Sequence, residues 1–175
     1  MMRNYKELLN DITTFIFDYD GVMTNGDVLV NENGEPLRMA NVKDGYALQL
    51  ARKLGYNVAV ISGGYSLSIL NRMQMLNIED VFLRVADKMS KLNEYMEYRN
   101  IKPNQIVYMG DDIPDYLPMK AVSVPVCPAD AAEEIKSISL YISAFGGGRG
   151  CVRDIVEQVL KVQDKWMLNF ESHLW

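Results

Sequence analysis

An alternation of short apolar runs with helix-spaced segments constrains this chain more than any other feature. β-branched and aromatic residues cluster in Ile12–Phe17, Asn57–Ile61, Asp80–Leu83, Gln105–Met109 and Ala121–Val126, each of strand length. Between and after them, Gly45–Leu54, Ser66–Leu76, Lys88–Arg99, Asp130–Ser137 and Cys151–Val162 carry helical patterns, and Ser139–Ile142 reads as an edge strand. Apolar strands separated by crossover helices are the signature of an α/β fold, a Rossmann-like parallel sheet with helices on both faces. One segment breaks the pattern. Asp27–Asn41 has two strand-like arms around Asn33-Gly34, a dipeptide suited to the left-handed φ values of a tight turn. This predicts a β-hairpin inserted after strand one. With 175 residues, the chain is long enough for one well-cored domain and cramped for two. We expect a single unit over residues 1–175, with the hairpin at about 27–41 and a C-terminal tail at about 164–175.

Composition narrows the partners. A net charge of −5 argues against a nucleic-acid binder, which needs a basic face. No run of about 18 apolar residues marks a membrane span, and the N-terminal residues lack the pattern of a secretion signal. Cys127 and Cys151 make neither a disulfide framework nor a ligand cluster, so the expected location is the cytoplasm. The one histidine, His173, lies near the C-terminus. Chemistry must therefore come from carboxylates, lysine, hydroxyls or a metal.

Three polar clusters follow expected strands directly: Asp18-Tyr19-Asp20-Gly21, Ser62-Gly63-Gly64, and Gly110-Asp111-Asp112-Ile113-Pro114-Asp115. In open parallel sheets, sites form at the carboxyl ends of strands where the strand order reverses. If the first strand and Gln105–Met109 are neighbours there, Asp18, Asp20 and Asp111 share one crevice. Crowded carboxylates repel one another unless a cation lies between them. Hard oxygen donors without nearby His or Cys suit Mg²⁺. A carboxylate is also a competent nucleophile for phosphoryl transfer, which makes Asp18 the candidate attacker and Asp20 the general acid and base. Charge on the transferring group would be met by Ser62, Lys88 and the backbone N–H groups of Gly21, Gly63 and Gly64. Ser62 has a second reading as a helix cap, and Asp112 one as a turn residue.

At this point the residues resemble a known family. DYDGVMTNG, ISGG, Lys88 and YMGDDIPD look like the motifs of haloacid dehalogenase-superfamily phosphatases. NVKDGYALQLARKLGYNVAVISGG, MGDDIPDYLPMKAVSVPVCPADA and GGGRGCVRDIVEQVL resemble, over about residues 12–165, the 3-deoxy-D-manno-octulosonate 8-phosphate phosphatases of lipopolysaccharide sugar synthesis. The 2-keto-3-deoxynononate 9-phosphate phosphatases are similar too. The resemblance implies a Mg²⁺ cofactor held by Asp18, the Asp20 carbonyl and Asp111, with Asp115 orienting Lys88. It implies a phosphorylated keto-sugar acid as substrate and a capless fold. It further implies a homotetramer in which the hairpin, and often the C-terminal tail, covers a neighbour's site. Two departures stand out. Thr24-Asn25-Gly26 replaces the usual T-D-G, and Gly64 stands where octulosonate enzymes often carry arginine and nononate enzymes glutamate. Arg149, assisted by Lys43, is then the candidate contact for the sugar carboxylate. A non-catalytic relative would be expected to have lost Asp18, Asp20, Lys88 or Asp111, and all four are present. A two-component receiver would carry an acceptor aspartate after Asp80–Leu83, where the chain reads Leu83-Arg84-Val85.

Overall fold

The computed structural model describes residues 4–167. Its central strand is β1 (Thr14–Phe17), buried along its whole length. It pairs in parallel with β4 (Asn57–Ile61) on one side and β6 (Ile106–Met109) on the other, so that Phe17 stands opposite both Val60 and Met109. The sheet extends through β5 (Asp80–Phe82) at one edge, and through β7 (Val124–Cys127) and β8 (Tyr141–Ile142) at the other. All its pairings are parallel, in the order β5-β4-β1-β6-β7-β8. After β1 the chain builds outward through β4 and β5, then returns to β6 on the opposite side. The order therefore reverses at β1, as the sequence pattern requires for a shared crevice.

Side chains alternate between two cores, because successive strand residues point to opposite faces. Phe15, Phe17, Val58, Val60, Val107 and Met109 face one core, covered by α2 (Val42–Lys53), α3 (Leu67–Met75) and α7 (Cys151–Val162). Ile16, Ala59, Ile61, Ile106 and Tyr108 face the other, covered by α4 (Lys88–Arg99), α5 (Tyr116–Ala121) and α6 (Glu133–Ile138). Both faces of the sheet are dry, which explains why its strands read as continuous apolar runs. Among the described residues, no helix is long and apolar enough to cross a membrane.

The hairpin forms where expected, from β2 (Leu29–Val30) and β3 (Pro36–Leu37) in antiparallel register. Its turn differs from the two-residue form. Gly34 alone has the left-handed φ, at +79°. The turn runs Asn31–Gly34, closed by Gly34 N–H to the Asn31 carbonyl at 2.9 Å, while the Asn31 side chain accepts the Asn33 and Glu35 amides. An Asx side chain thus replaces the second left-handed residue.

Two helices escape the sequence pattern. α1 (Tyr5–Leu8) spans 4 residues, too few to show a period. α5 takes Tyr116–Ala121 and moves the following strand to Val124, where the expected strand began at Ala121. Pro118 disguises α5, yet it lies in the first turn, where a helix needs no N–H. Of the tail residues, Trp166 packs half-buried on the first core. His173 and the rest of the tail beyond 167 lie outside the described residues.

Candidate active site

The crevice is built by backbone that continues straight out of the central strands. Asp18 N–H extends the β1–β6 ladder to the Met109 carbonyl at 3.0 Å, and the chain then turns sharply, with Met23 and Thr24 amides both bonding to the Tyr19 carbonyl. Gly21 sits in this turn at φ +85°, a conformation that costs glycine least. A side chain there would also be barred by space, since a Cβ would fall 2.0 Å from Asp111 Oδ2. Gly21 is thus the opening through which the Asp111 carboxylate reaches across from β6 to Asp18.

A buried ion network holds the floor. Lys88, the first residue of α4, places Nζ 2.9 Å from Asp18 Oδ1 and 2.8 Å from Asp115 Oδ1. Tyr108 donates its hydroxyl to Asp115 Oδ1 at 2.9 Å, and the Asp111 amide donates to Asp115 Oδ2 at 3.4 Å. Asp115 is thus in direct contact with Lys88, the residue that the resemblance expects it to orient. Tyr108 completes that arrangement and was not anticipated, because a tyrosine in a buried strand is indistinguishable in sequence from a core residue.

Negative charge exceeds positive charge here. Burial pushes Asp18 up to about 7, with Asp115 adding to the effect and Lys88 opposing it. Burial, then Asp18 and Asp115, push Asp111 up to about 8. For Lys88, burial acts downward but the two aspartates outweigh it, and the ammonium is held above its ordinary value. Carboxylate oxygens of Asp18, Asp111 and Asp115 lie within 4.8 Å of one another. Asp111 Oδ1 is buried without a hydrogen-bond partner. An orphaned carboxylate oxygen beside two others is a donor set that fits a hard divalent cation. Asp115 is already engaged by Lys88 and Tyr108, which leaves Asp18 and Asp111 as the side chains with capacity to spare.

A cavity of about 440 Å³ opens over this floor and brings together Asp18, Asp20, Gly21, Ser62, Gly63, Gly64, Lys88, Asp111, Asp112 and Asp115. Ser62 is buried at the end of β4, and its Oγ accepts the Gly64 amide at 3.1 Å. It does not cap the next helix; that cap is Ser66. Asp112 is exposed at the rim and its side chain accepts the Ile113 amide, a turn contact. Lys43 and Arg149 fall elsewhere. They line a second cavity of about 520 Å³ with Asn25, Met39, Asn41 and Gly148.

Two further features were not anticipated. Arg38, just past β3, grips Asp20 with two hydrogen bonds, Nε to Oδ1 at 2.5 Å and Nη2 to Oδ2 at 2.9 Å. Its guanidinium lies 3.3 Å from where a Cβ of residue 64 would stand. Where the resemblance leads one to look for a cation at position 64, the hairpin supplies one. No local spacing could have signalled a contact across 18 residues. The second feature is the glycine loop 146–148, which is packed rather than loose. A Cβ on Gly147 would fall 2.0 Å from the Gly21 carbonyl oxygen, and Asp44 and Asp130 accept amides that fix the loop and the start of α7.

Residues 69–146 match the family model for haloacid dehalogenase-like hydrolases. The 3-deoxy-D-manno-octulosonate 8-phosphate phosphatase of Yersinia pestis is 32% identical over 155 residues, covering 89% of this chain and 83% of that protein. The solved structure of the Yersinia pestis phosphatase matches with a TM-score of 0.91 and 31% identity, covering 93% of this chain and 88% of that one. The structure of the Moraxella catarrhalis phosphatase, in complex with magnesium ion, phosphate ion and a KDO molecule, also matches at TM-score 0.91, with 27% identity and 95% of each chain covered. At this identity over most of both chains, this chain belongs to the haloacid dehalogenase-like hydrolases, as a phosphatase of the same family as those two proteins.

Proposed function

We propose that the chain hydrolyses 3-deoxy-D-manno-octulosonate 8-phosphate with Mg²⁺, through an aspartyl-phosphate on Asp18. The observation that carries this reading is the unpartnered, buried Asp111 Oδ1 facing a nucleophile-bearing floor that has one lysine for three carboxylates. Asp18, Asp111 and the Asp20 main-chain carbonyl would hold the ion. Once bound, Mg²⁺ supplies charge neutralisation between the carboxylates and the incoming phosphate.

The protein groups divide the remaining work. An Asp18 carboxylate oxygen forms a bond to phosphorus as the ester P–O bond breaks. Asp20 protonates the departing sugar oxygen, since an alkoxide is a poor leaving group. Asp20 then takes a proton from water, whose attack on phosphorus releases phosphate and returns Asp18 as a carboxylate. Lys88, the Ser62 hydroxyl and the amides of Gly21, Gly63 and Gly64 receive charge that spreads over the phosphoryl oxygens. Arg149 and Lys43 would bind the sugar carboxylate, a planar guanidinium offering two parallel hydrogen bonds where an ammonium offers a point charge.

Self-association belongs to the same reading. The hairpin exposes Leu29, Val30 and, most of all, Met39 at 84%, an apolar strip that a neighbouring copy in a tetramer would cover. Such a neighbour would also help to exclude water from an uncapped crevice.

The test is phosphate release from a panel of phosphorylated keto-sugar acids and simple phosphate esters, with and without Mg²⁺. The eight-carbon keto acid should give the highest kcat/KM, and EDTA should abolish turnover until Mg²⁺ is restored. A higher kcat/KM for the nine-carbon acid would overturn the choice of sugar. Full activity in exhaustively chelated protein would remove the metal.

A further inference from the structure

We propose that Arg38 is a positioning residue for Asp20, and that Gly64 is the gap that admits it; the proposal rests on the phosphatase reading above. The Arg38 side chain is only 7% exposed, although its hairpin is among the most open parts of the molecule. Exposed ion pairs contribute little. A buried guanidinium with both prongs on one carboxylate fixes the plane of that carboxylate.

The anchor continues behind Arg38. Its Nη1 bonds to the Pro36 carbonyl at 3.5 Å, and the same carbonyl accepts the hydroxyl of Ser66, the N-cap of α3, at 3.3 Å. Strand β3 is thus tied to the first core's helix layer, and Arg38 is aimed from it. At position 64, a Cβ would stand 3.0 Å from Asp20 Oδ2 as well as 3.3 Å from Arg38 Nη2. A side chain there would crowd the Arg38–Asp20 pair, which would have to shift to admit it.

The consequence for the reaction is orientation. Each Asp20 oxygen accepts one hydrogen bond from Arg38 and keeps a lone pair for the proton that passes to the leaving oxygen, then returns from water. Arg38 itself exchanges no proton. Its loss should therefore be felt where the leaving group needs a proton, and hardly at all where it does not.

The experiment compares kcat/KM, which reports steps through release of the alcohol, on two esters. One is 3-deoxy-D-manno-octulosonate 8-phosphate, an alkyl ester; the other is p-nitrophenyl phosphate, whose phenolate leaves as a stable anion. Arg38→Ala should lower the alkyl value roughly 10- to 100-fold, the scale of a misplaced catalytic group, and leave the aryl value nearly unchanged. Gly64→Ala should also lower the alkyl value, and added guanidinium should partly restore Arg38→Ala. Thermal midpoints measured alongside ensure that equally folded protein is compared. Equal losses on both esters, or no loss on either, would overturn the proposal. Wild-type protein that cleaves neither ester with Mg²⁺ would remove the phosphatase reading, and the proposal with it.

Discussion

The two cavities beside the glycine loop hold their charges in opposite ways. In the acid pocket, Lys88 is buried with Asp18 and Asp115 and bonded to both, with Tyr108 behind Asp115. In the neighbouring cavity, Lys43 and Arg149 are exposed. The first set is fixed by its own hydrogen bonds; the second faces solvent. A rigid, desolvated floor suits the phosphoryl transfer that all substrates of such a site share. An exposed cationic wall suits the part of a substrate that differs from one phosphate ester to the next. The contrast teaches where sequence change is tolerated: substitutions in the wall should shift substrate preference, whereas those in the floor should stop the reaction.

The largest effect should follow from replacing Asp18. Asp18→Asn replaces the proposed carboxylate nucleophile with an amide that cannot attack phosphorus, and weakens metal binding, so turnover of every phosphate ester should fall to background while circular dichroism stays native. Asp20→Asn should cost roughly 10² to 10⁴ in rate, the usual worth of general acid–base help. If Asp20→Asn were as active as wild type on the alkyl ester, the pocket would lack the division of labour assigned to it.

Lys88→Met probes whether the floor is held by its lysine. Removing one partner of a buried ion network leaves the others uncompensated, typically at a cost of about 3–5 kcal/mol. Urea unfolding in Mg²⁺-free buffer should show a loss of that order, and assays with Mg²⁺ restored should show loss of activity. An unchanged midpoint would mean that Asp18 and Asp115 do not depend on Lys88 for their burial.

Arg149→Ala sharpens the comparison from the other side. A lost hydrogen bond to a charged group is worth about 1.5–3 kcal/mol, so KM for the keto-acid phosphate should rise roughly ten- to a hundredfold. Hydrolysis of p-nitrophenyl phosphate, which has no carboxylate, should be unaffected. Matching losses on both substrates would place Arg149 with the floor rather than the wall. Smaller still should be the effect of shortening the hairpin tip, Glu32–Glu35, which leaves Arg38 and its anchor in place. Sugar-phosphate activity should fall modestly and sedimentation should shift toward smaller species. A monomer with full activity at high dilution would refute the neighbour-lid role.

What the sequence makes legible follows from the same contrast. Asp18 and Ser62 come directly after a buried strand, and Asp111 follows one after Gly110, so an apolar run and the next few residues suffice to locate them. The β1–β6 adjacency that joins them is a topological rule rather than a sequence signal, and it holds here. Arg38 and Tyr108 are illegible for opposite reasons. Tyr108 looks like any aromatic residue in a buried strand until Asp115 is seen beside it. Arg38 looks like any polar hairpin residue until the hairpin folds back onto Asp20. The glycine loop misleads in a third way. Three glycines in a row suggest slack, whereas Gly147 is glycine because the Gly21 carbonyl occupies the space of its side chain. Helix α5 was hidden by Pro118, and α1 by its length.

The central claim is that the phosphoryl group passes through Asp18. The most direct measurement is an acid quench of the Asp20→Asn variant during turnover of p-nitrophenyl phosphate with Mg²⁺, followed by peptide mass spectrometry. This ester needs no proton to leave, and without Asp20 the attacking water loses its base, so the covalent species should accumulate. We expect one phosphoryl group on the peptide that contains Asp18, absent when Asp18→Asn is added to the variant. Turnover with no adduct at Asp18, or with the adduct on another residue, would contradict the mechanism.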